Sequence, residues 1–462
     1  MLRSRKNRYY DWITVGIYLS LLVIGWIAQY SVSASQATPV DFLNLDHPMT
    51  KQSLYLLMAL LVFVAAQWVE EKFWHTFSYL IYSISLILLV LVLFVGTEIN
   101  GAKAWFNLGG FSFQPAELAK FGTALALSSF MTFYKTNLKQ GYFQLISFGI
   151  IAVPLLLVLL QPDAGSGLTF LSFFIMLFLE GLNPIYFIGI ASLLIVFIVS
   201  FLYPLAWIQF ALIFVGFIVA WVLSNSFRLK WWMLLALVFI YGVLIFYLRP
   251  DQLIYALIPP MAGMLVYLWK TKEEVLALVI PFSVLLLIGV AHFSVDFMKK
   301  LEPHQQERIK VWLKPEECDP RGSLYNVLQS KVAIGAGGFA GTGFMEGHMT
   351  KLKFVPEQST DFIFSSIGEE HGFIGGLTLI LLFAFLIFRI INMSQQADRK
   401  FFSTYAACVA GLLFIHVMIN IGMTIGLFPI IGIPLPFISK GGSALIGFSL
   451  MLGVLFNMQS KS

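Results

Sequence analysis

LEPHQQERIKVWLKPEECDPRGSLYNVLQSKVAIGAGGFAGTGFMEGHMTKLKFVPEQSTDFIFSSIGEEHGFIGG, Leu301 to Gly376, is where a very apolar chain turns polar. Nearly everything outside it is apolar runs joined by short polar connections. A polar segment this long is not needed to cross a bilayer. It gathers carboxylates and glycines, the charge and backbone freedom that chemistry at a membrane surface requires.

Outward from that stretch, the composition sets the class. Of 462 residues 59% are hydrophobic and 11% charged, with mean hydropathy +0.84. Soluble domains carry roughly 25% charged residues, so the chain reads as an all-α, polytopic integral membrane protein. Spans need about 20 apolar residues. Candidate centres fall at Val23, Leu60, Leu88, Leu125, Val153, Phe174, Leu193, Phe214, Val238, Pro260, Leu285, Leu381, Leu413 and Leu450. That gives about fourteen helices by hydropathy. The basic start leads into a run long enough to span, with no small-residue cleavage site after it, so no removable signal peptide is expected.

Loop charges orient the spans. With the N-terminus in the cytoplasm, inside loops hold Lys72, Lys135, Lys139, Arg228, Lys230, Lys270, Lys272, Arg389, Arg399 and Lys400, whereas outside connections before Val290 hold Lys51, Lys103 and Arg249. That is the positive-inside bias. It puts the polar stretch outside and both termini in the cytoplasm. The net charge of +5 follows from this bias. No basic, aromatic-interleaved patch points to nucleic acid. Cys318 and Cys408 make no disulfide framework, and the seven histidines show no zinc-ligand spacing.

Four polar clusters interrupt the grease. GAKAWFNLGGFSFQPAELAKF, Gly101 to Phe121, reads as an outside loop entering a helix. Glu117 and Lys120, three apart, share a helix face there, either as a local ion pair with a capping carboxylate or as a charged pair at a cavity mouth. Trp105 suits an interfacial anchor. In QPDAGSGL, Gln161 to Leu168, Asp163 is either a helix N-cap or a functional edge carboxylate. The polar stretch adds Arg308, Asp319, Gln329, Glu357, Asp361, Glu369 and Glu370. Its AIGAGGFAGTG lacks the GK[ST] ending of a P-loop and reads as flexible surface backbone. In PIIGIPLPFISKGGSAL, Pro429 to Leu445, proline and glycine break the helix, which membrane depth tolerates only where backbone is buried or lines a cavity. Lys440 there suits a snorkelling residue.

Together these blocks, with DPRGSLYNVLQS, PEQSTDFIFSSIGEEHGFIGG and NIGMTIGLFPIIGIPLPFISKGGSAL, closely resemble the SEDS family (shape, elongation, division, sporulation), in the family's order. NIGMTIG looks more like the RodA branch than the FtsW branch. The resemblance runs from Trp12 to about Tyr203 and from Leu301 to the end. It implies a fold of about ten helices, a long extracytoplasmic loop before the last three, and about four inserted helices here. The expected domains are residues 1–203, an insertion at 204–293, a catalytic loop at 294–372, and 373–462.

The resemblance also implies a peptidoglycan glycosyltransferase of the bacterial plasma membrane, polymerising lipid II with the elongation machinery and a class B penicillin-binding protein. Asp319 takes the essential aspartate's place, with Tyr325 and Gln329 in register. Trp105, Glu117, Lys120, Gln161, Asp163, Arg308, Glu357, Asp361, Ser439 and Lys440 fall on cavity or substrate positions. Lys120 and Arg308 are candidate phosphate partners, with Glu117 and Asp163 holding Lys120 or an ion. No cofactor is built in, and a divalent cation such as Mg²⁺ or Mn²⁺ is a candidate. Departures from the family wording are Leu324 for Gly, Gln306 for Arg, Ser359 for His and Lys440 for Tyr. A lipid-precursor flippase and a non-catalytic scaffold are the rival readings. A transporter needs no base in an outside loop.

Overall fold

The structure, a computed structural model, describes residues 11–34, 47–99, 101–108, 111–133, 136–223, 239–240, 243, 247–270, 274–301, 303–322 and 324–461. It divides into two compact units, Met1–Asn183 with Asp319–Ser462, and Pro184–Cys318.

The first unit runs α1 (Trp12–Ala34), α2 (Pro48–Trp68), α3 (Glu71–Thr76), α4 (Ser78–Val95), β1 (Thr97–Ile99), β2 (Ala102–Leu108), β3 (Phe111–Phe113), α5 (Pro115–Thr132), α6 (Gly141–Leu159), α7 (Ala164–Thr169) and α8 (Phe173–Leu179). The second unit holds α9 (Ile185–Leu202), α10 (Leu205–Leu223), α11 (Pro250–Lys270), α12 (Glu274–Lys300) and α13 (Pro303–Leu313). The chain then returns to the first unit with α14 (Tyr325–Ala336), α15 (His348–Lys351), α16 (Ile363–Gln396), α17 (Lys400–Thr424) and α18 (Gly442–Lys461).

Among the described residues, ten helices are long and apolar enough to cross a membrane. Each hydropathy centre except Val238 lies in a described helix, and Val238 lies outside the described residues. Four centres make the difference from fourteen: Val238, Leu125 in α5, Phe174 in α8 and Pro260 in α11. Glu117 and Lys120 lower the apolarity of α5, and a 3₁₀ turn at Phe170–Ser172 splits 164–179 into short pieces.

Composition sorts the helices of the first unit. α5, PAELAKFGTALALSSFMT, is rich in Ala, Ser, Thr and Gly and is buried along nearly its whole length. Small residues let membrane helices approach closely, and α5 packs on α4, α6 and α17. α17 and α18 are likewise buried, while α4 and α6 show most of their surface outward. Leu57, Leu61, Phe94, Leu156, Leu381 and Phe388 stand exposed, a surface suited to lipid. Gly25 lets α1 meet the broken segment before α18, since a Cβ there would collide with the Phe437 carbonyl.

Two sequence expectations are corrected. The stretch at 101–121, read as a loop entering a helix, does enter α5 at Pro115, but what precedes it is a three-stranded antiparallel sheet over 97–113, β1-β2-β3, with Trp105 opposite Thr97 and Phe106 opposite Phe113. The polar stretch is mostly helical, through α13, α14, α15 and the first turns of α16. Its glycine-rich middle is exposed at 338–340 as a surface segment but is pinned where it meets α16. Gly341, at φ +89°, packs on the Glu370 carbonyl, beside the break in α16 at Gly372. Thr342 and Gly343 donate backbone N–H groups to the carbonyls of Glu369 and Glu370 at 3.0 and 3.1 Å. Backbone groups drawn away from water must find partners, and the docking supplies them.

The second unit has its own cores, Phe217, Ala220 and Trp221 with Leu268, Ala277 and Ile280, and Val196 with Ile208 and Ala291. Its boundaries, 184 and 318, lie outside the 204–293 segment singled out by sequence.

Candidate functional site

Gln114 and Pro115 open α5, and the first turns carry Glu117 and Lys120. Both are buried, at 3% and 1% exposure. Two such groups escape the cost of desolvation only by pairing, and Lys120 Nζ donates to Glu117 Oε1 at 2.7 Å. The ammonium has a second partner that sequence reasoning missed, His416 Nε2 at 3.0 Å. His416 Nδ1 faces the Leu412 carbonyl at 2.8 Å. The signal was present, as a histidine with Asn420 four residues on in an apolar helix, because membrane-buried polar residues are costly and usually engaged.

Asp163 is not the partner of Lys120. It caps α7, accepting from the Ser166 N–H at 2.9 Å, and its other oxygen accepts from Gln114 Nε2 at 2.8 Å. The capping reading is therefore what the structure displays, with Gln114 joining Asp163 to the start of α5. Gln161, fully buried, donates to the Leu89 carbonyl at 3.0 Å. Trp105 sits in β2, where its carbonyl accepts from Thr97 Oγ1 at 3.1 Å.

A second group of residues forms around the break before α18. Ser439 Oγ donates to the Thr360 carbonyl at 2.6 Å and accepts from the Leu435 N–H at 2.8 Å. The Lys440 N–H donates to the Ser359 carbonyl at 2.8 Å. Two positions that depart from the family wording are thus in direct contact. Asn420 Nδ2 donates to the Asp361 and Ile433 carbonyls at 3.0 and 2.8 Å. A cavity of about 230 Å³ lies here, lined in part by Lys353, Glu357, Ser359 and Lys440. Burial lowers the Lys440 amine below its ordinary range, opposed by Glu357 and reinforced by Lys51. A wider cleft of about 720 Å³ opens at the other end of α2, lined in part by Glu70, Lys72, His75 and Arg399.

The two groups are linked by the SKGGS segment. Ser443 Oγ, four residues after Ser439, accepts from the Gln114 N–H at 3.1 Å and donates to the Ser112 carbonyl at 2.9 Å. One backbone segment therefore touches both.

Asp319 is exposed on a turn. Its Oδ1 accepts from the Arg321 N–H at 3.0 Å and its carbonyl from the Gly322 N–H at 3.0 Å. This fixes the carboxylate's direction while leaving it open to solvent. Tyr325 and Gln329 follow on α14, which Ser330 anchors to the Thr424 carbonyl of α17 at 2.9 Å. Arg308 is exposed on α13 in the second unit. Among the described residues, no three of His, Cys, Asp or Glu converge into a group able to hold a metal.

Comparison with known proteins follows the same lines. The profile of the FtsW/RodA/SpoVE family, described as cell cycle proteins, matches residues 12–214 and 205–462. The second match begins at 205 and so runs through the 204–293 segment. Peptidoglycan glycosyltransferase RodA of Treponema pallidum (strain Nichols) is 28% identical over 462 residues, covering 100% of each chain. Stage V sporulation protein E of Bacillus subtilis (strain 168) is 29% identical over 465 residues, covering 99% of each. A solved chain from a peptidoglycan synthase complex, studied for its coordination of polymerization and crosslinking, is 26% identical with TM-score 0.60, covering 98% of each chain.

Proposed function

Because the chain belongs to the FtsW/RodA/SpoVE family of cell cycle proteins, we propose that it is a peptidoglycan glycosyltransferase, polymerising lipid II outside the plasma membrane during elongation. A relative named as a peptidoglycan glycosyltransferase matches over its full length. The elongation assignment leans on that relative's RodA name and on NIGMTIG. A class B penicillin-binding protein is the proposed partner, supported by the likeness to a chain of a peptidoglycan synthase complex.

The observation that carries the chemical reading is the Asp319 turn. Glycan joining needs a base for the acceptor 4-hydroxyl proton and positive charge near the departing diphosphate. In the proposed step, Asp319 takes that proton and the oxygen attacks the anomeric carbon of the donor. The bond from that carbon to the diphosphate oxygen breaks, releasing undecaprenyl diphosphate. One Asp319 oxygen is tethered to the backbone, so the carboxylate is aimed rather than free to wander. Arg308 and Lys440 are the accessible cations among the candidates. Lys120, buried and paired, acts in this reading as a fixed support. No step is routed through a divalent ion.

Asp11 with Arg389, Glu71 with Arg399 and Glu180 with Lys400 form ion pairs. They gather at the helix ends that the loop charges assign to the cytoplasm, which supports cytoplasmic termini and an external Asp319. Residues 204–293 are proposed as accessory helices without a catalytic group. The test is polymerisation from purified lipid II, with and without the partner synthase. Glycan strands are expected. Lipid II translocation without polymer would favour a flippase, and neither activity would favour a scaffold.

A further inference from the structure

We propose that His416 is a positioning residue for this reaction, holding the Lys120 ammonium in place as a neutral imidazole protonated on Nδ1. The inference rests on the polymerase reading for its kinetic consequence and on geometry alone for the tautomer.

The ring is fixed at both nitrogens. The Leu412 carbonyl can only accept, so Nδ1, at 2.8 Å, carries a proton. The Lys120 ammonium can only donate, so Nε2, at 3.0 Å, offers its lone pair. An imidazolium would aim a second proton at the ammonium. Phe448 closes the remaining freedom: its ring meets His416 edge-on, with centroids 4.8 Å apart and planes at 86°. Lys120 Nζ also lies 5.5 Å from that ring's centroid, within cation–π range. The buried cluster therefore holds one carboxylate, one ammonium and one neutral ring.

A satisfied core histidine would need only its helix carbonyl. Here the second nitrogen is spent on the cation of a buried ion pair, and that cation sits on a long flexible stem. Glu117 alone fixes the ammonium's distance, while Glu117 and His416 together fix its direction. The pair stands in the first turns of α5, whose N-terminus is tied to Asp163 and Ser443 through Gln114. A shift of Lys120 is thus passed to the segment carrying Ser439 and Lys440.

The experiment uses full-length protein with its partner synthase and purified lipid II. His416→Leu should lower turnover by about 10- to 100-fold, the range expected when a supporting group near a reaction is misplaced. His416→Gln, whose amide oxygen reaches the Nε2 position, should recover most of it, and the shorter His416→Asn should not. Equal turnover in the Leu variant and wild type, or equal loss with Gln and Asn, overturns the proposal. If the Leu variant does not accumulate, the Gln and Asn comparison decides. Nitrogen-15 NMR of histidine-labelled protein should show a protonated Nδ1 and a bare Nε2, with Nε2 shifting in Lys120→Met. A doubly protonated ring or the opposite tautomer also overturns it. That spectrum reads the same whether or not wild type makes polymer, so the failure of the polymerase reading is seen separately.

Discussion

His416 and Asn420 lie four residues apart on α17, the first bonded to the Lys120 ammonium and the second to the Asp361 and Ile433 carbonyls. Thr424, four further on, receives the Ser330 hydroxyl of α14 through its carbonyl. Residues at this spacing share a helix face. Four hydrogen bonds, to Lys120, Asp361, Ile433 and Ser330, therefore leave three positions of α17 at this spacing.

Asp319→Asn should keep the fold and abolish the chemistry. The position is exposed, and surface changes usually stay within about 0.5 kcal/mol. Loss of a general base typically costs roughly 10²–10⁴-fold in rate. Glycan product from lipid II should fall by that factor while the unfolding midpoint holds. Wild-type turnover would reject Asp319 as the base.

The Glu117–Lys120 pair should be more sensitive to halving than to deletion. Removing one partner strands a buried charge, at about 3–5 kcal/mol, whereas replacing both by apolar groups is often neutral. Glu117→Leu or Lys120→Met alone should lower the thermal midpoint in detergent. The double substitution should restore much of it without restoring turnover. Additive losses in the double variant would contradict the pairing.

Cys318 offers a native reporter of sidedness, since it neighbours Asp319 while Cys408 is buried. Burial raises its thiol above the ordinary value, with Lys310 opposing and Glu307, Glu317 and Glu316 adding to the rise. The thiolate is the reactive form. An impermeant maleimide should therefore label intact cells from outside, slowly at neutral pH and faster as pH climbs. Labelling from the cytoplasmic face alone would invert the topology.

Lys440 predicts a pH effect of opposite sign to that of a paired lysine. Its amine lies below the ordinary value of 10.5, chiefly through burial. The folded state therefore disfavours the charged form, and the cost is present below the folded value. It disappears as pH rises through the window up to 10.5. Lys440→Met should be more stable than wild type near pH 7, with the gap closing toward pH 10.5. A gap that widens with pH would refute this.

The spans were legible because a bilayer imposes a length on apolar runs, and a run of about 20 needs little context. The Glu117–Lys120 pair was legible for a similarly local reason, spacing on one helix face. What escaped depended on partners distant in the chain. AIGAGGFAGTG reads as loose until α16 docks on it, and Gly341 beside Glu370 is visible only when both are placed. His416 is an isolated polar letter among apolar ones, while Gln114, Asn420 and Ser443 lie in quoted blocks that give no hint of their partners. Their importance comes from contacts distant in the chain, hundreds of residues away for Gln114 with Ser443 and His416 with Lys120. The sheet at 97–113 was hidden by its short strands.

The break at Gly372 has a consequence for how the protein is made. α16 runs over 34 residues but breaks at Gly372, leaving a piece at 373–396 of about 36 Å at 1.5 Å per residue, enough for a hydrocarbon core of about 30 Å. Residues 373–396 are long enough to enter the bilayer as they leave the ribosome. The preceding turns carry Glu369 and Glu370, which the finished protein buries. Glu369 is there received by the N–H groups of Met349 and Thr350 at 2.7 and 2.9 Å and by the Thr350 hydroxyl at 2.7 Å, and Glu370 by the Ser31 hydroxyl. Those donors lie earlier in the chain and are already synthesised when the glutamates emerge. The acidic turns emerge before the apolar half, so they can seat against waiting partners as residues 373–396 enter the bilayer, without either glutamate meeting lipid.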